Sequence, residues 1–120
     1  MEGEQTYIEY EGDIGIIHLG DYDLTEKIMG CAEEVISRGS KAIILDFEYV
    51  RTNVSTILGH ISAIRGKCYD ENNIEIYLCN VKGEDEYPHK ALRLAGITVL
   101  EGIHVKGGIE ETVEELSQGK

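Results

Sequence analysis

A chain of 120 residues has room for one domain and its core and too little for two ordinary ones, so residues 1–120 are expected to form one unit. Its 42% hydrophobic content is that of an ordinary globular chain, and no apolar stretch approaches the roughly 20 residues of a membrane-spanning helix. Asp and Glu outnumber Lys and Arg by 23 to 11, and the formal charge of −12 repels nucleic-acid phosphates and anionic membrane, leaving basic proteins, or none, as the partners to expect.

The opening MEGEQTYIEYEG is acidic and lacks the basic and apolar regions of a secretory signal, so a cytoplasmic location is the expectation. Thr6 to Glu11 alternates, with Ile8 and Tyr10 on one side, and Ile14 to Leu19 follows the turn signal Gly12-Asp13; the two segments predict a hairpin. From Asp23 the spacing becomes helical. Leu24, Ile28, Cys31, Ala32, Val35 and Ile36 share a stripe, Asp23 or Thr25 can cap the start, and Arg38-Gly39 can end it. Ala42 to Leu45 is a nearly unbroken apolar run, the pattern of a strand buried on both faces of a parallel sheet.

After Asp46 a polar loop passes Asn53, Ser55 and Thr56, and Ile57, Leu58, Ile61 and Ile64 then mark the buried stripe of a helix predicted from about Ser55 to Lys67. Tyr69 to Asn73 turns the chain, Ile74 to Cys79 alternates as a strand, and Lys82 to Glu86 is a loop. Pro88 suits the first turn of a helix that runs to Ala95, with Ala91, Leu92 and Ala95 inward and Gly96 closing it. Thr98 to Leu100 reads as a last strand, extended through Ile103 and Val105, and Ile109, Val113 and Leu116 share a face of a final helix. Strands alternating with helices after an opening hairpin predict an α/β fold, a mixed sheet with parallel crossovers covered by about four helices.

Few residues stand out chemically. Ser55 and Thr56 lie at a helix entrance, where backbone N–H groups without intrahelical acceptors suit a capping oxygen or a phosphate equally well. Asp21, Asp23 and Asp46, should the fold bring them to one sheet edge, suggest a magnesium site of the phospho-receiver kind, with Lys82 beyond a later strand; the alternative is simply a helix cap at Asp23 and a solvated Asp21. His18, His60, His89 and His104 sit on separate elements without ligand spacing and read as surface or boundary residues. Cys31, Cys68 and Cys79 have no close pair and each falls in an apolar pattern, so buried free thiols in a reducing compartment are expected. The pairs Glu110-Glu111 and Glu114-Glu115 read as a solvated face. No Ser-His-Asp elbow, Walker loop or dinucleotide glycine pattern is present, so neither an enzyme nor a cofactor is expected.

The run Val54-Ser55-Thr56-Ile57-Leu58-Gly59 resembles the Asp-Ser-[Ser/Thr]-Gly-Leu-Gly motif of STAS domains, the family of anti-sigma-factor antagonists, stressosome scaffolds and sulfate-transporter tails. Leu19-Gly20-Asp21-Tyr22-Asp23 is similar to the family's Gly-[Glu/Asp]-Leu-Asp, and Ala95-Gly96-Ile97 is a third match; together the matches span roughly Tyr7 to Leu116. Val54 and Ile57 stand where the family has Asp and Gly, and a branched side chain at 57 would sit where a kinase approaches. The resemblance implies a STAS-like fold and a non-enzymatic antagonist that captures an anti-sigma-factor serine kinase of GHKL type. It implies that Ser55, or less favourably Thr56, is the phosphoacceptor, that phosphorylation ends the complex, and that a PP2C-type phosphatase can restore it. Partner contacts would come from Asp21, Asp23, Asn53, Ser55, Thr56, Leu58 and Gly59. A homodimer is open, as are two alternatives, a stressosome-type scaffold subunit without a switch and a module binding an anion or nucleotide at the helix entrance.

Overall fold

A computed structural model of the chain describes residues 5–51, 54–83 and 85–118; the side chains of residues 54–56 also lie outside the described set. The hairpin forms as expected, from β1 (Tyr7–Glu11) and β2 (Ile14–His18), antiparallel with Tyr7 opposite His18 and Glu11 opposite Ile14. Next come α1 (Leu24–Ser37), β3 (Ala42–Asp46), α2 (Val54–Arg65), β4 (Glu75–Cys79), α3 (His89–Leu94), β5 (Ile103–Val105) and α4 (Ile109–Gln118). The strands form one sheet in the order β1-β2-β3-β4-β5, with every pair after the hairpin parallel. This is the α/β, hairpin-first mixed sheet with four helices expected of a STAS-like fold. Among the described residues, no helix is long and apolar enough to cross a membrane.

Strand alternation gives the sheet two unequal faces. Ile17, Ile43, Leu45, Ile76 and Leu78 point to the face covered by α1, α2 and α3, where they meet Leu24, Ile28, Val35, Ile57, Ile61, Ile64 and Leu92 in the main core. Among the described residues the opposite face carries α4 alone, whose Ile109, Val113 and Leu116 pack on Ile14, Ile16, Ile44 and Cys79. Because β3 is covered on both sides, all five of its residues are buried, which is what its apolar run predicts. Full burial of a side chain such as Ile43 or Leu45 contributes about 1.5–3 kcal/mol.

Helix α1 ends where the sequence places its stop. Gly39 takes φ +80°, and the Gly39 and Ser40 N–H groups reach back to the Ile36 and Val35 carbonyls, the paired bonds of a Schellman cap. Three expectations change. Helix α2 stops at Arg65 and continues as a π-helical turn, Gly66–Asp70, that buries Cys68; Gly66 is the weak helix former at which the winding changes. Thr98 to Leu100 is not a strand: Ile97–Val99 forms a 3₁₀ turn that buries Ile97, and the sheet resumes only at Ile103. Ala95 is exposed, because α3 is short and closes at Leu94, with Leu92 as its anchor in the core.

Candidate functional site

In open parallel sheets, crevices form beyond the carboxyl ends of the strands, and that edge holds the densest polar network here. His18 and Asp46 are the last residues of β2 and β3 and face each other in register on the α4 side of the sheet. Asp46 is 3% exposed. One of its carboxylate oxygens accepts from His18 Nδ1 at 2.7 Å; the other accepts from Asn80 Nδ2 at 2.8 Å and from the Glu48 N–H at 3.0 Å. His18 Nε2 lies 2.8 Å from Glu9 Oε1, and the Tyr7 ring stacks on the imidazole with centroids 4.6 Å apart.

A carboxylate at each ring nitrogen favours the imidazolium form of His18, in which both nitrogens donate. The Asp46 hydrogen bond raises the His18 pKa above its ordinary value, against the effect of burial, and Glu9 adds in the same direction. Burial alone would raise the Asp46 carboxyl, but the bonds from His18, Asn80 and the Glu48 N–H outweigh it and hold the group below its ordinary value. A crevice of about 180 Å³ opens over the pair, lined in part by Tyr7, Glu48 and Tyr49. Neither ring nitrogen is free to relay a proton in this arrangement. The neighbouring Cys79 thiol is pushed up by burial and lies 3.3 Å from Thr112 Oγ1, so it stays protonated at neutral pH.

The same edge carries the loops that lead to α1 and α2. The Arg51 N–H donates to Asp21 Oδ1 at 2.8 Å, joining the two loops, and Arg51 Nη1 donates to the Glu48 carbonyl at 2.8 Å. Tyr22, beside Asp21, is 82% exposed. Beneath it, Asp23 Oδ1 accepts the Thr6 N–H at 2.7 Å and Thr6 Oγ1 accepts the Gly20 N–H at 2.9 Å, binding the entry of the first strand to the loop. Gly20 is required by this approach, since a Cβ there would lie 2.3 Å from the Gln5 carbonyl carbon.

The expected site residues fall into distinct places. Asn53 lies outside the described residues, as do the side chains of Ser55 and Thr56. Helix α2 starts at Val54, so Ser55 and Thr56 are its second and third residues rather than its cap. Ile57 is fully buried in the core, so the branched side chain expected to face an approaching kinase points away from any partner. Leu58 is half-buried against the core and Gly59 is exposed. Asp21 is half-buried and engaged with Arg51.

Asp23 is 5% exposed and faces inward, so the partner contact expected there gives way to a structural bond with Thr6, assisted by Lys27 at 3.5 Å; it occupies the cap position of α1 without making a side-chain cap bond. Asp21, Asp23 and Asp46 therefore turn to three different partners. Among the described residues, no group of three acidic, His or Cys side chains converges as a metal site would require. All three cysteines are free, with Cys68 and Cys79 buried and Cys31 half-buried.

The His18, Asp46 and Asn80 network was missed by sequence reasoning, as were Arg51 and Tyr22. A usable signal existed: His18 and Asp46 are each the first polar residue after an apolar strand run, and parallel neighbours of equal length bring such residues together. His104 shows the same pattern on a smaller scale, stacked on Tyr77 at 4.7 Å and hydrogen-bonded to Glu75.

No family model matches the chain, and no curated protein matches it significantly. Among solved structures, the NMR structure of the protein TM1081 superposes with a TM-score of 0.70 at 19% identity, covering 92% of this chain and 87% of its own. At that identity the likeness is one of fold.

Proposed function

We propose that this chain is a cytoplasmic, non-enzymatic regulator of STAS type, an anti-sigma-factor antagonist that binds a GHKL-type serine kinase and is switched off by phosphorylation at Ser55. The observation that carries the reading is the start of α2 at Val54. It places Ser55 and Thr56 in the first helical turn, directly after the loop that leaves the central strand, where N–H groups without intrahelical acceptors and the positive end of the helix favour a phosphate. The buried Ile57 supports the reading, since its branched side chain faces the core. The adjoining loop, tied by Asp21 to Arg51, offers Tyr22 as an exposed aromatic anchor of the kind enriched at interface hot spots. A phosphate adds roughly −1.5 to −2 charges at that surface and ends binding by repulsion of a partner's acidic groups and the cost of desolvation.

The test is incubation with a GHKL-type serine kinase and ATP, read by intact mass. A gain of one phosphate that Ser55→Ala abolishes supports the switch; no gain, or a gain that survives Ser55→Ala and Thr56→Ala, refutes it. Val54 favours a second reading, since it supplies no carboxylate before the acceptor: a scaffold subunit that makes constant contacts through the same surface. Sedimentation separates the two, because a scaffold forms large assemblies and an antagonist stays small.

A further inference from the structure

The face of the sheet opposite α2 is incompletely covered. Helix α4 packs across β2, β3 and β4 through Ile14, Ile16, Ile44 and Cys79, which centres it on β3. Edge strand β1 lies two strand spacings away, about 9–10 Å. Packed helices stand about 8–10 Å apart, so a second helix laid beside α4 would sit over β1. The chain supplies none there among the described residues. In its place is an open groove of about 790 Å³ between α4 and the hairpin.

Its lining says what fits. Ile109 and Val113 of α4, both half-buried, supply the apolar part, above an Ile16 that α4 already covers to 1% exposure. Glutamates line both walls: Glu9 and Glu11 on β1, Glu110 and Glu114 on α4. Glu9 is engaged with His18, and Glu111 accepts the Gly108 N–H at 2.9 Å. No cation among the described residues pairs with Glu11, Glu110 or Glu114, whereas on the other flank of α4 Lys106 pairs with Glu115 at 3.1 Å and Lys41 donates to the Leu116 carbonyl at 3.3 Å. Charge is therefore uncompensated on one side of α4 only, the side where the sheet is bare.

We propose that this groove docks a basic amphipathic helix of a partner protein, its apolar stripe on the half-buried Ile109 and Val113 and its Lys or Arg side chains on the two glutamate walls. The surface is separate from the one around Ser55, which belongs to the helix on the opposite face, and the proposal holds whether or not Ser55 is a phosphoacceptor. A helix of about ten residues, roughly 15 Å long, would match α4 along its whole length. Leu or Ile at i, i+3 or i+4 and i+7, flanked by basic residues, is the pattern that would be recognised.

The test uses a fluorescein-labelled synthetic peptide of 16 residues, built from Leu, Lys and Ala with that spacing, and the same composition scrambled to remove the stripe. Anisotropy titrations at about 150 mM salt keep long-range attraction to the acidic chain screened. The expected result is at least tenfold tighter binding of the patterned peptide, with amide shift changes centred on Glu9, Ile16, Ile109 and Val113. The triple variant Glu11→Gln, Glu110→Gln, Glu114→Gln should weaken it at least fivefold with an unchanged thermal melt. A control neutralising Glu26, Glu34 and Glu71 elsewhere should leave it within twofold. Equal binding of patterned and scrambled peptides, shifts centred on another surface, or equal losses in the two triple variants would overturn the proposal.

Discussion

Replacing His18 by alanine tests the lock at the strand ends most directly. The substitution removes the 2.7 Å bond to Asp46 and leaves a carboxylate that is 3% exposed with only Asn80 and the Glu48 N–H. A hydrogen bond to a buried charge contributes about 1.5–3 kcal/mol, and the lost stacking of a Tyr7 that is itself largely exposed adds about 0.5 kcal/mol. The expected loss is about 2–3 kcal/mol. With an unfolding entropy of about 2.1 cal/mol/K per residue, a 120-residue chain shifts about 4 °C per kcal/mol, so Tm should fall by about 8–12 °C.

The pH dependence gives the sharper test. The folded-state pKa of His18 is raised above its ordinary value near 6.5, so its contribution is fully present below about pH 6.5 and is lost as pH rises through the folded value. Asp46 is depressed in the folded state, so its contribution is present above about pH 3.9 and is lost as pH falls through that lowered value. Urea denaturation of the wild type and of His18→Ala from pH 4 to pH 9.5 should therefore give a stability gap that is widest between about pH 4 and 6.5 and narrows on the alkaline side. A gap that stays constant to pH 9.5, or one below about 0.5 kcal/mol throughout, would refute the ion-pair account of this edge.

Gly20→Ala should cost about 2 kcal/mol or more in urea denaturation, because its Cβ would meet backbone rather than a movable side chain at 2.3 Å. Asp23→Ala should cost about 1–3 kcal/mol by stranding the buried Thr6 N–H, and amide exchange at Thr6 should rise by more than the global loss accounts for. Thiol labelling of the native protein near pH 8 should reach half-buried Cys31 first; Cys79 and Cys68, the latter pushed up to about 11 by burial, should react only as the protein unfolds.

Local patterning made most of the architecture legible. The hairpin, α1 and β3 follow from alternation, a helical stripe closed by Gly39, and an unbroken apolar run, each readable from contiguous local sequence. The errors occur where a short segment admits two solutions. Thr98 to Leu100 is apolar enough for a strand, yet three residues specify no period, and the burial of Ile97 favours a tight turn. Asp23 before Leu24 has the form of a cap, and only the folded chain brings the Thr6 N–H to compete for its carboxylate. The lock at the strand ends was hidden for a related reason: His18 and Asp46 are 28 positions apart, and their meeting depends on the register between β2 and β3.

That lock also bears on how a switch at Ser55 would work. The loop entering α2 is fastened twice before it reaches the helix, at Glu48 by the Asp46 carboxylate and at Arg51 by Asp21, while Phe47 and Val50 are buried to 1% exposure. Ile57 fixes the first turn from below. A phosphate on Ser55 would thus act beside a described stretch, Phe47 to Arg51, that is already fastened, and its energy would be expressed as surface charge toward a partner rather than as refolding of that stretch. On this reasoning a phosphorylated sample should keep the amide shifts of Phe47 and Val50 within the spread of its other core residues. Large changes at those two positions would mean that the modification acts by remodelling the loop, and that the double fastening is weaker than the bonds at Glu48 and Arg51 imply.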